Sequence, residues 1–201
     1  MNNHVHSAHC RACKERVREM LTAIYGECRV NHQFPWPARP EEYADTPIGD
    51  SLWQIRTALG EWRSQPHFIK SALMPPCDFF ISAPPFILEF DESQHFTPAR
   101  AIALSLYPKT IPLGFSRLRW QELCRKINAH DDRPLDRDER RAWYDTLRDL
   151  APAVHGFAPT IRLYDAQYAW CSLEAGSVAG REQFSGLVRN LPPRANPGKD
   201  K

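Results

Sequence analysis

Carboxylates lie inside two short apolar runs near the middle of the chain, where a hydrophobic strand would normally exclude them. Asp78 falls in the run 77–81, and Glu89 and Asp91 fall in the run 86–91, with a Pro-Pro turn between the two runs. A buried carboxylate is costly unless it is paired or binds a metal. The pattern therefore predicts a hairpin whose acids meet at one end and bind Mg²⁺ or Mn²⁺ through oxygen ligands.

Two further polar residues follow the second run at once. Because Glu89 and Asp91 are two positions apart, a strand would place both side chains on the same face. Gln94 and His95 could reach the same place. Alternating apolar and charged residues are also typical of a strand whose acids face water. The density of carboxyl, amide and imidazole groups within residues 78–95 favours a site.

A second group of potential ligands lies near the N-terminus. Cys10 and Cys13 form a C-x2-C pair, and Cys28 and His32 follow after a segment with helical spacing. Two such pairs can complete the tetrahedron of a structural zinc site. We therefore predict a zinc-binding module over residues 1–34. Three upstream histidines could each replace the last of these ligands: His4, His6 and His9.

Composition limits the class of protein. The chain has 201 residues with 42% hydrophobic and 25% charged, which predicts a compact domain with an appendage. A net charge of +2 means that any affinity for nucleic acid must come from local clusters. No run approaches the ~20 apolar residues of a membrane span, and the N-terminus lacks a hydrophobic signal region. We therefore expect a cytoplasmic protein that does not bind membranes.

Proline divides the chain into predicted domains. Residues 35–50 read as a proline-rich linker after the zinc module, because proline fixes φ and removes a backbone donor. Residues 51–191 form the predicted main domain, and residues 192–201 a disordered tail. The predicted elements of the main domain are a helix over 51–63, strands over 67–73, 77–81 and 86–91, helices over 97–106, 115–129 and 136–150, and a strand over 159–165. This order predicts an α/β fold with a mixed four-stranded sheet and a crossover to its last strand.

The predicted order of helices and strands, with Asp78, Glu89 and Asp91 on neighbouring strands, resembles the PD-(D/E)XK nuclease superfamily. Within it, the chain is most similar to the very-short-patch-repair-like branch of small endonucleases. Residues 77–79 are similar to the family segment in which an Asp ends the second strand. Residues 88–91, followed by Gln94 and His95, look like the Glu-x-Asp…His segment of that branch. The third similar piece is the later helix and strand: Asp138-Glu139-Arg140-Arg141, Leu147, Gly156 and Ile161-Arg162. The resemblance spans roughly residues 50–165.

The resemblance implies a restriction-endonuclease-like α-β-β-β-α-β core and a Mg²⁺-dependent DNA endonuclease that hydrolyses phosphodiester bonds. Asp78 and Glu89 would hold the cation, with Asp91 as a third ligand or just outside the ligand set. The catalytic lysine of the superfamily is absent and Asp91 stands at its position, which leaves open the residue that activates water. His95 is expected either as the general base or as a hydrogen-bonded structural residue. Gln94 would orient the water or hold a phosphate oxygen.

Two arginines at the start of a later helix are predicted DNA contacts. Arg140 and Arg141 could meet a phosphate, and helix N-termini favour anions, although a solvated helix face would also explain them. The zinc module would serve folding or DNA docking, because four protein ligands leave no open position. One alternative is a non-catalytic nucleic-acid-binding protein with a degenerate nuclease fold. Another is a regulatory subunit whose tryptophans mark partner surfaces: Trp36, Trp53, Trp62 and Trp120.

Overall fold

A computed structural model describes residues 11–188 and 190–193. This part of the chain forms an α/β fold around one mixed, open sheet with the strand order β1-β2-β3-β4. The strands are β1 (Arg29–His32), β2 (Cys77–Ser82), β3 (Pro85–Asp91) and β4 (Ile161–Tyr164). The helices are α1 (Arg11–Tyr25), α2 (Gly49–Trp62), α3 (Pro98–Ser105), α4 (Arg117–Ile127), α5 (Arg137–Val154) and α6 (Val178–Leu187). The predicted α/β class and mixed four-stranded sheet are confirmed.

The strand directions determine how the sheet is connected. β2 runs antiparallel to both β1 and β3, whereas β3 and β4 are parallel and are joined through α3, α4 and α5. Parallel neighbours need such a crossover, because a short turn cannot reverse the chain twice. None of the described helices combines the length and apolar character needed to span a lipid bilayer.

The two faces of the sheet differ in chemistry. One face packs on α1 and α6, and its side chains are all apolar: Phe79, Ile81, Phe86, Leu88, Phe90, Ile161 and Leu163. The other face packs on α2, α3 and α5, and it buries Glu89, Asp91 and Arg162 alongside Phe80 and Ile87. Because side chains alternate along a strand, the predicted shared face of Glu89 and Asp91 is confirmed.

Local capping signals begin two of the helices that surround the charged face. The Thr97 hydroxyl accepts a hydrogen bond from the Arg100 amide at 3.1 Å, and the Ser116 hydroxyl accepts one from the Arg119 amide at 3.3 Å. Each bond satisfies one of the free N–H groups of a helix N-terminus. α4 ends at Asn128, whose φ of 49° is left-handed, as is common where helices stop.

The first strand is not the predicted one. Residues 67–73 contain no strand, and only Leu73 forms an isolated bridge, with Pro37. The sheet instead begins with Arg29–His32, which the sequence assigned to the zinc module. The described part of that module therefore belongs to the same sheet as the main domain.

A tyrosine explains why residues 67–73 do not need a strand partner. The Tyr144 hydroxyl on α5 accepts hydrogen bonds from the amides of Lys70 and Ser71, at 3.2 and 3.0 Å. Phe68 is fully buried in the core. The segment is therefore irregular: it buries Phe68, leaves Leu73 40% exposed, and bonds part of its backbone to a side chain.

The proline-rich segment 35–50 is part of the core. Trp36, Tyr43 and Ile48 are buried, and the Trp143 indole donates to the Ala38 carbonyl at 2.9 Å. Proline prevents regular structure here but does not prevent burial. The predicted linker therefore packs under α2 and α5. Of the predicted tail, only Pro192 and Pro193 belong to the described residues.

Candidate functional site

Asp78 and Glu89 meet where the pairing of β2 and β3 ends. Phe79 and Leu88 are the last paired residues in that direction. Beyond them the carboxylates take the place of backbone acceptors. The Asp78 amide donates to Glu89 Oε1 at 3.0 Å, and the Phe90 amide donates to Asp78 Oδ2 at 2.9 Å. These reciprocal bonds hold both carboxylates at one point between the strands.

Lys14 on α1 supplies a cation at the outer side of this pair. Its Nζ lies 2.5 Å from Asp78 Oδ1, with the Lys14 side chain 40% exposed and the Asp78 side chain 21% exposed. Glu89, in contrast, is buried. Asp78 is therefore the acid that solvent cations and ligands reach first, and Glu89 lies behind it.

A second acidic group lies on the same face between β3 and α5. His95 Nδ1 is 3.0 Å from Asp145 Oδ2 and 3.6 Å from Asp91 Oδ1. One ligand atom from each of these three residues lies within 4.8 Å of the others, a spacing that one metal ion could bridge. Within residues 11–188 and 190–193 this is the one group of three or more His, Cys, Asp or Glu side chains with that spacing.

The oxygens of this second group already accept protein hydrogen bonds. Arg162 Nη1 donates to Asp91 Oδ1 at 2.6 Å, and Trp120 Nε1 donates to Asp91 Oδ2 at 2.7 Å. Asp145 Oδ1 lies 3.3 Å from both Arg148 Nη1 and Arg162 Nη2. A cation between these side chains would have to displace guanidinium and indole donors. The group is therefore better described as a closed charge network.

Arg162 is the centre of that network. Besides Asp91 and Asp145, it binds Asp149, whose Oδ1 accepts from Arg162 Nε at 2.6 Å. The second oxygen of Asp149 accepts from Arg100 at 2.5 Å and from the Tyr107 hydroxyl at 2.8 Å. Buried charges survive in a protein interior when each has a hydrogen-bonded partner of opposite charge, and these residues meet that condition.

Glu89 is the least compensated acid of the face. Its cationic neighbour is Arg148, whose Nε lies 3.6 Å from Glu89 Oε1, beyond hydrogen-bond length. That Nε is buried and has no hydrogen-bond partner among the described residues. Burial, opposed by Arg148 and reinforced by Asp78, raises the pKa of Glu89 to about 7. Additional positive charge at this point would stabilise the carboxylate.

The imidazole of His95 and the carboxylate of Asp145 shift each other's pKa. Burial alone lowers the pKa of His95, but the neighbouring Asp145 and Asp91 outweigh it, and the pKa is raised. Burial alone raises the pKa of Asp145, but Arg162 and His95 hold it well below its ordinary value. His95 contacts Asp145 through Nδ1, so Nε2 of this partly exposed ring takes no part in that hydrogen bond. The contact with Asp145 fixes the orientation of the ring, and the general-base role of His95 stays a prediction.

The structure separates the predicted catalytic residues into two sets. Asp78 pairs with Glu89, whereas Asp91 joins His95, and Asp78, Glu89 and Asp91 do not form a three-ligand group at metal-bridging spacing. Gln94 does not enter either set: its amide donates to Glu92 Oε2 at 2.7 Å. The predicted role of Gln94 at the water is therefore not supported by its position.

The two predicted DNA-contacting arginines have different surroundings. Arg141 Nη1 donates to the Gln94 carbonyl at 2.9 Å, and Arg141 Nη2 lies 3.0 Å from Asp131 Oδ2. These bonds join the turn after β3 to the segment before α5, so Arg141 has a structural role, and its predicted contact with DNA stays a prediction. Arg140 lies beside Lys70 and Arg133 at an open surface cleft, where its contact with DNA stays a prediction.

The predicted zinc ligands are not brought together within the described residues. Cys13 is buried on α1, while Cys28 is half-buried. His32 stacks on Phe80, with ring centroids 4.8 Å apart. Cys13, Cys28 and His32 do not form a group at metal-bridging spacing. The remaining predicted or alternative ligands lie outside the described residues: Cys10, His4, His6 and His9.

Sequence reasoning missed Lys14, Asp145, Arg148, Asp149 and Arg162 as site residues. The signal was present in part. Asp145, Arg148 and Asp149 stand at positions i, i+3 and i+4 of α5, so their side chains share one face of the helix. Arg162 interrupts the apolar residues of β4. Charged side chains on the buried side of a helix or strand need partners of opposite charge. That rule predicts that the charged residues of α5 and Arg162 of β4 are paired inside the protein.

Comparison of the chain with protein-family models, curated proteins and solved structures gives no match. No relative therefore supplies an activity or a set of functional residues. The function rests on the geometry and the charges of the residues described above.

Proposed function

We propose that the protein is a metal-dependent DNA endonuclease in which Asp78 and Glu89 hold one Mg²⁺ or Mn²⁺ ion. The proposal rests on one observation: the undercompensated carboxyl of Glu89 lies directly behind the partly exposed carboxylate of Asp78. Two carboxylates from neighbouring strands are ligands that hard cations prefer. The raised pKa of Glu89 is what a buried acid shows when the positive charge beside it is insufficient.

The side chains around this pair have complementary roles. When bound, the divalent cation would neutralise charge on a scissile phosphate and lower the pKa of a water molecule. His95, oriented by Asp145, would accept a proton at Nε2. Lys14 Nζ, which lies 2.5 Å from Asp78 Oδ1, would move from this carboxylate to a phosphate oxygen when the cation binds. Asp91 is held by Arg162 and Trp120, so we assign it to the network that fixes His95.

Plasmid cleavage tests the proposal. Supercoiled plasmid is incubated with the protein in Mg²⁺, in Mn²⁺ and in EDTA, and nicked and linear products are quantified. Asp78→Asn and Glu89→Gln should each reduce metal-dependent cleavage by at least about 100-fold, since metal catalysis contributes several kcal/mol and each 1.36 kcal/mol is tenfold in rate. Glu122→Gln, an exposed acid on α4, is the matched control and should cleave like the wild type. Cleavage that survives both site variants contradicts the proposal.

A second candidate is a non-catalytic nucleic-acid-binding protein with a degenerate nuclease fold. Both carboxylate oxygens of Asp91 accept hydrogen bonds, one from Arg162 and one from Trp120, so the third acid of the predicted site is not open to a metal. This observation favours the non-catalytic candidate. This candidate predicts DNA binding that is unchanged by Mg²⁺ and an absence of cleavage with either metal. The plasmid experiment therefore separates the two functions.

A further inference from the structure

A cleft of about 460 Å³ lies along the outer edge of β4. β4 is the last strand of the sheet, so this edge has no strand partner within the described residues. The floor is formed by residues 161–163, and the walls come from residues 114–116 with the start of α4 and from residues 186–188 with Asn190. A volume of this size falls within the usual range of small-ligand sites, about 300–1,000 Å³.

The cleft lining has a distinct chemistry. It contains two arginines and two aromatic residues but no carboxylate. Arg162 is neutralised by its buried acids, whereas Arg119 is exposed and has no ion-pair partner among the described residues. Phe115 and Leu187 add apolar walls, and Asn190 adds a polar group. A ligand that suits this lining carries negative charge, a flat apolar ring and polar edges, which are the properties of a nucleotide.

The cleft borders the charge network that holds His95. Trp120 and Arg162 line it, and both donate to the carboxylate of Asp91. Asp78 on β2 is two strands away from β4, or about 10 Å at 4.7–4.9 Å per strand spacing. A DNA strand covers that distance in about three nucleotides, at 3.4 Å per stacked step.

We infer that the cleft binds one unpaired nucleotide of the DNA strand whose backbone passes Asp78 and Glu89. This inference rests on the proposed function and specifies its substrate. A base that is paired inside a duplex cannot enter a cleft at a sheet edge without leaving the stack. The protein therefore binds single-stranded or locally unpaired DNA in preference to an intact duplex.

Filling the cleft is the first test. Gly186 lines the cleft and Gly176 does not, and an added Cβ meets nothing within 4 Å at either position. Binding of a fluorescein-labelled single-stranded 12-mer and of its duplex is measured by anisotropy in EDTA, where no metal-dependent cleavage occurs. Gly186→Phe should weaken single-strand binding about tenfold, because stacking contributes about 1–3 kcal/mol per base. Gly176→Phe should bind like the wild type.

A charge reversal on α4 is the second test. Arg119 and Arg125 are both exposed on this helix, but only Arg119 lines the cleft. Arg119→Glu should weaken single-strand binding clearly more than Arg125→Glu does, since the two variants change net charge equally. Equal losses for the two arginines, or for the two glycine variants, overturn the inference. A wild type that binds single strands no better than duplex also overturns it.

The outcomes separate this inference from the proposed function. If the wild type cleaves plasmid while the cleft variants bind like their controls, the nucleotide site is wrong and the endonuclease proposal stands. If the cleft variants lose binding and no metal supports cleavage, the nucleotide site stands and the endonuclease proposal fails.

Discussion

The two faces of the sheet bury side chains of opposite character to the same depth. Leu88, on the face toward α1 and α6, is 0% exposed, and on the face toward α5 Glu89, Asp91 and Arg162 are 3%, 1% and 3% exposed. Apolar burial is stabilising without any partner, whereas a buried charge needs both an opposite charge and hydrogen bonds. The acids and the arginine of the second face therefore carry a desolvation cost that the apolar side chains around them do not offset.

The charged face is itself uneven. Each donor nitrogen of Arg162 has an acid, at 2.6, 2.6 and 3.3 Å. Around Glu89 the nearest cationic nitrogen, Arg148 Nε, is 3.6 Å away and has no hydrogen-bond partner among the described residues. A fully bonded network is a scaffold, and an incompletely bonded pair is a place where a ligand can add to the structure. This contrast is the reason for placing the metal at Asp78 and Glu89 and not at Asp91, His95 and Asp145.

Removing the centre of the network should have the largest effect on stability. Arg162→Met leaves Asp91, Asp145 and Asp149 without their shared cation, and breaking a buried pair in this way costs about 3–5 kcal/mol. Urea unfolding followed by circular dichroism measures the loss. Arg29→Met, which breaks an exposed pair with Glu27, is the control and should leave the unfolding midpoint unchanged. Similar midpoints for the two variants would mean that the network is not a scaffold.

Truncation on the apolar face should lower stability without affecting chemistry. Leu88→Ala deletes a fully buried side chain and should cost about 2–5 kcal/mol. Plasmid cleavage per folded molecule, measured well below the unfolding temperature, should stay at the wild-type rate. A folded Leu88→Ala protein that loses cleavage as Asp78→Asn does would remove the division between the faces.

The pH dependence of stability should report the incomplete pairing of Glu89. The pKa of Glu89 is about 7 in the folded protein and near the ordinary 4.5 in the unfolded chain. The contribution of Glu89 to the free energy of unfolding is therefore complete below about pH 4.5, where the carboxyl is protonated, and is lost as pH rises through 7. Glu89→Gln should therefore be more stable than the wild type at pH 8, by about 2–3 kcal/mol, and similar to it at pH 4.5. Thermal unfolding across this range measures the difference. A wild type that is the more stable protein at pH 8 would contradict the raised pKa.

The smallest effect is expected at His32. Its ring stacks on Phe80 and meets Phe34 edge-on, and such aromatic pairs contribute about 0.5–1.5 kcal/mol. His32→Ala should lower stability by that amount and leave the zinc content unchanged. Zinc is measured by mass spectrometry after purification in zinc-containing buffer. Stoichiometric zinc in the wild type that disappears in His32→Ala would restore His32 as a ligand.

Local signals made the acid-bearing strands predictable. The runs that became β2 and β3 are apolar, short and bounded by proline, and the period of a strand places Glu89 and Asp91 on one face. β1 gives no such signal. Arg29–His32 is four residues long and mostly exposed, and it is a strand only because β2 offers it a pairing edge. That edge comes from a distant part of the sequence.

The partners of the acids could not be predicted for the same reason. The contact between Arg162 and Asp91 joins residues 71 positions apart, and the contact between Lys14 and Asp78 joins residues 64 positions apart. The sequence indicates that a buried charge needs a partner but not which arginine reaches it. The packing of α5 and β4 decides that Asp91 is saturated and that Glu89 is not.

A manganese site in a crystal tests the central claim most directly. Crystals are soaked in Mn²⁺, and an anomalous difference map is computed from data collected near the manganese absorption edge. We predict one peak about 2.0–2.2 Å from carboxylate oxygens of both Asp78 and Glu89, with Lys14 moved away from Asp78, and no peak in crystals of Glu89→Gln. A map without a peak at this pair, or with manganese only between Asp91, His95 and Asp145, would contradict the account.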